Sequence, residues 1–169
     1  KNDCVAGAIC ASEEFIMEIS NVNNGTAMLL GPVLDPLRSS SILKNLATLP
    51  IRMIQHSKNA LYLAKKFDEL EFSYVYPGMP DHPQHELMNS MMNDGFGYSG
   101  IIAIDLETAE RAAPFMEKMQ YQGVGYHAVS LGYFKTLFSN SGRSTSSEVP
   151  IEMQKEMGLS PGLVRFSVG

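Results

Sequence analysis

IIAIDLETAERAAPFMEKMQ, residues 101–120, decides the fold. Its first six residues are apolar but for Asp105 and read as a strand. Thr108 is then placed to cap a helix running to about residue 120, with Ala109, Ala112, Ala113, Met116 and Met119 on its inner face. Pro114 falls inside that helix, where it lacks an N–H to donate. Working outward, residues 72–76 (FSYVY) form a strand stopped by Pro77 and Gly78, and residues 126–131 form a third strand. Residues 163–168 (LVRFSV) make a fourth. Residues 139–147 (SNSGRSTSS) read as a polar loop, followed by a short helix over about 150–157 that stops at Gly158. Strands alternating with helices on this scale define a layered α/β or α+β domain from about residue 71 onward.

Towards the N-terminus, residues 4–11 (CVAGAICA) read as a buried strand whose neighbours approach closely at Gly7 and Ala8. Ser12 with Glu13 and Glu14 starts a helix, and residues 21–26 (NVNNGT) end it with turn chemistry. Gly31, Pro32 and Pro36 keep any following helix short. From 41 to about 70, Leu43, Leu46, Ile51, Ile54, Leu61 and Phe67 recur at near-helical intervals, and Pro50 must kink or restart the helix. The predicted division is therefore 1–70 and 71–169.

The totals narrow the function classes. The 169 residues are 44% hydrophobic and 18% charged, a packed globular composition, with a net charge of −5. No basic stripe marks a nucleic-acid partner. No apolar run approaches the ~20 residues of a membrane span, and no signal-peptide pattern is present, so a soluble cytoplasmic chain is expected. Cys4 and Cys10 are six positions apart, too far along one strand face to bond to each other, and read as buried free thiols.

Arg165 is the most informative single residue. On its strand Leu163 and Ser167 share its face, while Val164, Phe166 and Val168 take the other. A guanidinium there needs an anion: either an ion pair with one of the 18 acids, or a carboxylate ligand held by its planar fork. Ser130, in the Ser130-Leu131-Gly132 turn, and Thr145, in the serine loop, are hydroxyls that a ligand could meet. His82 and His85 are too few for a metal site, and they read, like His56 and His127, as structural. No Ser-His-Asp ordering, P-loop or dinucleotide glycine fingerprint occurs.

Several segments together resemble the fold-type-I pyridoxal-phosphate enzymes of cysteine and methionine metabolism. Residues 1–7 (KNDCVAG) are similar to the family's G-H-x-D-x-x-x-G segment. Residues 46–49 (LATL), Arg52 and 56–60 (HSKNA) resemble its L-x-T-L-x-x-R-x-x-x-H-x-x-N-A helix. Tyr76-Pro77-Gly78 with His82-Pro83-Gln84-His85 resembles its Y-P-G-L-x-x-H-P-Q-H turn. Residues 128–132 (AVSLG), Thr136-Leu137 and 163–169 (LVRFSVG) complete the set. The segments GRSTSSEVP and GLSPGLVRFSVG are most similar to the plant-type methionine γ-lyases and their microbial relatives.

The resemblance implies an α/β chain forming the C-terminal half of a fold-type-I transferase: the end of the large domain over 1–70 and a small α+β domain over 71–169. It implies pyridoxal 5′-phosphate as cofactor and a sulfur amino acid as substrate, its carboxylate held by Arg165, with Ser130 and Thr145 lining the pocket. The Schiff-base lysine and the phosphate-binding residues are then expected before Lys1, so that no catalytic residue lies in this chain. The family's last helix is expected after Gly169. A homo-oligomer, dimer or tetramer, is expected. The activity implied is carbon–sulfur lysis at Cγ, with a cystathionine γ-synthase or O-acetylhomoserine sulfhydrylase reaction as the alternative. A non-catalytic association domain is the alternative of another class, and the chain alone is expected to be inactive. Departures occur at Tyr133, Lys135 and Ser146, where the family has glycine, an acid and histidine.

Overall fold

The structure is a computed structural model that describes residues 4–144 and 146–169. It divides into two compact units between Ala47 and Thr48.

The N-terminal unit carries three helices. In α1 (Glu13–Ile19) the Ser12 hydroxyl accepts the Phe15 N–H at 3.3 Å, as the cap pattern predicts. Helix α2 (Thr26–Leu30) is one short turn closed by Gly31 in the left-handed region, φ 61°. Helix α3 (Pro36–Leu46) starts on Asp35, whose carboxylate accepts the Leu37 and Arg38 amides at 3.0 and 3.1 Å. Those amides and the Arg38 guanidinium hold the Asp35 carboxyl below its ordinary range. The strand expected at 4–11 does not form. Those residues have no ladder partner among the described residues, and small apolar side chains cannot hold an extended segment without one. Cys4 is consequently half-buried and Cys10 exposed, rather than both being buried.

The C-terminal unit begins with α4 (Leu49–Glu69), and Pro50 sits in its first turn, where a missing N–H costs no helix bond. Pro50 thus restarts the helix instead of kinking it. The predicted boundary at residue 70 differs from the observed division at 47/48 for a packing reason. Ala60, Ala64 and Phe67 of α4 belong to the hydrophobic cluster of the sheet that follows.

That sheet has five strands: β1 (Ser73–Val75), β2 (Ile101–Asp105), β3 (Tyr126–His127), β4 (Leu137–Asn140) and β5 (Leu163–Ser167), in the order β1-β2-β5-β4-β3. All neighbours are antiparallel except β3 and β4. Helix α5 (His85–Met91) follows β1, α6 (Ala109–Tyr121) follows β2, and α7 (Ile151–Glu156) precedes β5. Pro114 is tolerated within α6 because Ala112 and Met116 are buried with the sheet. Ile102, Ile104, Phe138, Val164 and Phe166, all fully buried, form the sheet's contribution to that core. Rings of Phe67 and Phe138 stand 5.7 and 6.0 Å from Phe166.

Two expectations need correction. The second half of β4, Ser139 and Asn140, lies where a polar loop was predicted, and all four residues of the strand are buried. Hydroxyl and amide side chains at Ser139 and Asn140 look like loop chemistry, yet the ladder to β5 satisfies their backbones. β3 is two residues long instead of six. After the Ala128 N–H reaches Phe138 O at 3.1 Å, the chain leaves the ladder.

Tyr76 closes the core beneath α4. It is 1% exposed, its hydroxyl donates to Ser99 O at 3.0 Å, and burial pushes its pKa up to about 12. The folded state therefore favours the neutral phenol. Its stabilising contribution is complete below the unfolded value near 10 and is lost as pH rises from about 10 towards about 12. Urea titrations across that interval should show stability falling with pH, and Tyr76→Phe should flatten the fall. An equal slope in the variant would contradict this assignment.

Candidate functional site

The face of the sheet opposite the hydrophobic core is polar around its centre. β5 is the middle strand, and pairing places Arg165 between Ala103 on β2 and Ser139 on β4. Ala103 is small, which leaves room beside a long side chain. One guanidinium nitrogen, Nη2, donates to Val129 O at 2.6 Å. The Nε atom is buried with no hydrogen-bond partner, and so is Ser139 Oγ. No ion pair of Arg165 occurs among the described residues, so the acid partner that spacing left open is not found there. Burial lowers the Arg165 pKa, because taking the cation out of water disfavours it. The group stays charged at neutral pH.

The loop at 128–132 is tied to this face at two points. Val129 O accepts from Arg165, and the Gly132 N–H donates to Ser167 Oγ at 3.0 Å. Gly132 has φ 66°, a left-handed conformation that costs a glycine little. Ser130 lies between the two ties and is exposed, so the fold brings its backbone to the Arg165 face and leaves its hydroxyl free for solvent or ligand. Beyond the loop, Lys135 donates to the Tyr126 hydroxyl at 2.9 Å and Tyr133 packs on Phe134. Two of the departing positions are thereby occupied by local contacts.

Thr145 lies outside the described residues. Around it the serine loop closes on itself. Ser144 Oγ donates to Asn140 O at 2.5 Å, Ser147 Oγ to Ser144 O at 3.1 Å, and the Ser146 N–H to Ser141 O at 2.9 Å. A cavity of about 530 Å³ lies between this loop and α7, lined by Arg143, Glu148, Ile151, Gln154 and Lys155 among others. Neither Arg165 nor Ser130 lines it.

Each histidine has a local partner, and His127, expected in a core or interface, is exposed. His85 Nδ1 is 2.8 Å from Pro77 O and its ring stacks on Tyr98, while His82 Nδ1 accepts the Gln84 N–H at 3.1 Å. His56 Nδ1 lies 2.7 Å from Val168 O, and His127 stacks on Phe138. No group of three metal-ligating side chains occurs among the described residues, and no helix there is long and apolar enough to cross a membrane.

Ser139, Val129 and Ser167 escaped the sequence reading as parts of this site. Ser167 was visible as a same-face neighbour of Arg165. Ser139 was hidden by the misread strand, and a backbone carbonyl leaves no signal in residue type.

The mixed α/β fold is that of the fold-type-I pyridoxal-phosphate enzymes, and two solved structures carry the comparison. A putative O-acetylhomoserine (thiol)-lyase from Campylobacter jejuni, carrying N′-pyridoxyl-lysine-5′-monophosphate, aligns with TM-score 0.75 and 25% identity over 83% of this chain and 33% of that one. A cystathionine γ-lyase from Lactobacillus plantarum, complexed with L-serine, aligns with TM-score 0.70 and 29% identity, covering 84% of this chain and 36% of that one. The chain belongs to the Cys/Met metabolism PLP-dependent enzyme family, whose model matches residues 1–169. It is 42% identical over 168 residues to a methionine gamma-lyase of Arabidopsis thaliana, covering 99% of this chain and 38% of that protein. It is 33% identical to a cystathionine gamma-lyase of Bacillus subtilis, covering 99% of this chain and 42% of that protein. The chain thus spans about two-fifths of the length of these curated relatives.

The staple at Gly132 is directly testable. Ser167→Ala removes the acceptor of one amide, a loss of about 1 kcal/mol, so Gly132 N–H exchange should speed up by roughly fivefold. Core amides of β5 should keep their protection. Unchanged exchange at Gly132 would show that the loop is held without Ser167.

Proposed function

We propose that the chain is part of a pyridoxal-phosphate-dependent carbon–sulfur lyase of sulfur amino-acid metabolism, resembling methionine γ-lyase, in which Arg165 anchors the substrate carboxylate. The observation that carries this reading is a partly buried guanidinium with no acid partner among the described residues. A carboxylate supplies both the missing charge and two acceptor oxygens, matching the fork in geometry. Ser130, exposed on the loop tied to Arg165, is the hydroxyl this reading offers to the ligand, and Thr145 is assigned to it by the family resemblance.

The residues present fit the amino-acid end of the cofactor–substrate assembly, since the Arg165 guanidinium meets no acid among the described residues and Val129 O takes one N–H of its terminal nitrogens. The lysine and phosphate-holding groups are assigned to a part of the parent protein outside these 169 residues. When bound, pyridoxal phosphate supplies the electron sink that labilises the substrate's Cα and Cβ protons and allows the sulfur at Cγ to leave. Arg165 contributes binding and orientation by fixing one end of the amino acid on a strand braced by ladders on both sides. The parent protein is read as a cytoplasmic homo-oligomer. The likeness to a putative O-acetylhomoserine (thiol)-lyase supports a second reading, replacement at Cγ in place of elimination.

In the parent enzyme, Arg165→Ala should lower kcat/KM for methionine by roughly 10²- to 10³-fold, about 2.7–4 kcal/mol of transition-state stabilisation. Arg165→Lys should recover little, because a point charge does not reproduce the fork. Product analysis with methionine, cystathionine and O-acetylhomoserine separates elimination from replacement. Near wild-type kinetics in either variant would make Arg165 a structural residue.

A further inference from the structure

We propose that Ser139 is a positioning residue for Arg165, its hydroxyl accepting the Arg165 Nε–H when the guanidinium takes up a carboxylate. The inference rests on the reading of Arg165 as the carboxylate anchor and extends it to a residue with no role assigned so far.

The register is the first ground. Ser139 and Arg165 are direct cross-strand partners on β4 and β5, and their side chains share the face away from the core. Directly opposed antiparallel residues have Cβ atoms about 4.5–5.5 Å apart, within reach of a serine hydroxyl and an arginine Nε.

The second ground is that each side chain carries the partner the other lacks. Ser139 is 0% exposed and its Oγ has no hydrogen-bond partner. Arg165 Nε is likewise buried and unpartnered. The Nε–H can only donate, and a hydroxyl has lone pairs to accept it. Two unmet polar groups on one buried patch are costly singly and satisfy each other as a pair.

The consequence is selective. A guanidinium has five N–H donors. Val129 O takes one on Nη2, and Ser139 takes Nε. The donors left over lie on Nη1 and Nη2, so the carboxylate is held through the terminal nitrogens and not through Nε. Without Ser139 the side-on grip through Nε and Nη2 competes, and the ligand's orientation is no longer unique.

The test follows the Arg165 Nε–Hε signal in ¹⁵N–¹H spectra of the 169-residue chain as L-methionine is added, with Arg165→Lys to assign it. In the wild-type chain the signal should shift and saturate. Ser139→Ala should raise the methionine dissociation constant about five- to tenfold. Its thermal midpoint should not fall, because the hydroxyl it removes has no partner in the free chain. Ser139→Cys, close in volume and a weak acceptor, should behave like alanine and guards against a packing artefact. A serine with a merely structural role would lower midpoint and affinity together, and that result overturns the proposal. Equal dissociation constants in all three proteins, with the Arg165 signal still responding, overturn Ser139 and leave Arg165 as the anchor. No response of the wild-type Arg165 signal at any methionine concentration sinks the anchor reading and this inference with it.

Discussion

A guanidinium held on the middle strand of a sheet and lacking an acid partner among the described residues is the constraint around which this structure is arranged. Arg165 is held partly out of water, because β5 is flanked by ladders on both sides and its other face is locked into the core by Val164 and Phe166. It cannot simply be covered, since an unpaired buried charge is far more costly than any neutral group. The local solutions are partial. Ala103 leaves room, Val129 turns its carbonyl out of the β3 line to accept one N–H, and Ser167 holds the far end of the same loop. What stays unmet is Nε, and with it the net positive charge. A site in which the protein supplies a rigid cation but not its counter-ion selects an anionic ligand by the same electrostatics that make it costly when empty.

That economy explains which parts of the molecule were legible in the residues. β2, β5 and α6 follow from local pattern: alternation along LVRFSV, a branched apolar run at 101–106 and a small-residue face on α6. Their burial agrees with their periodicity, so pattern and fold point the same way. The second half of β4 was illegible because Ser139 and Asn140 are buried yet resemble loop residues in composition. β3 was overextended because Tyr126 to Leu131 alternates plausibly, whereas the actual chain departs at Val129 to meet Arg165. Both misreadings fall on the polar face, where local propensity yields to the needs of a charge.

The remaining errors are of packing. Residues 4–11 have strand composition but no ladder among the described residues, and composition alone does not reveal a missing partner. Helix α4 was expected to close the preceding domain, yet Ala60, Ala64 and Phe67 bind it to the sheet that follows. A heptad-like stripe shows that a helix is buried on one side without saying against what. Arg165 itself was singled out from the residues as a charge in need of an anion. Whether an acid of the protein meets it is not legible in residue order, and among the described residues none does.

The most direct measurement is a crystal structure of the chain with L-methionine bound. The account predicts the carboxylate oxygens within hydrogen-bonding distance, about 2.7–2.9 Å, of the Arg165 guanidinium, on the face shared with Ser139 and the 128–132 loop. Methionine bound elsewhere, with Arg165 unchanged on Val129 O or newly paired to an acid of the protein, would contradict it.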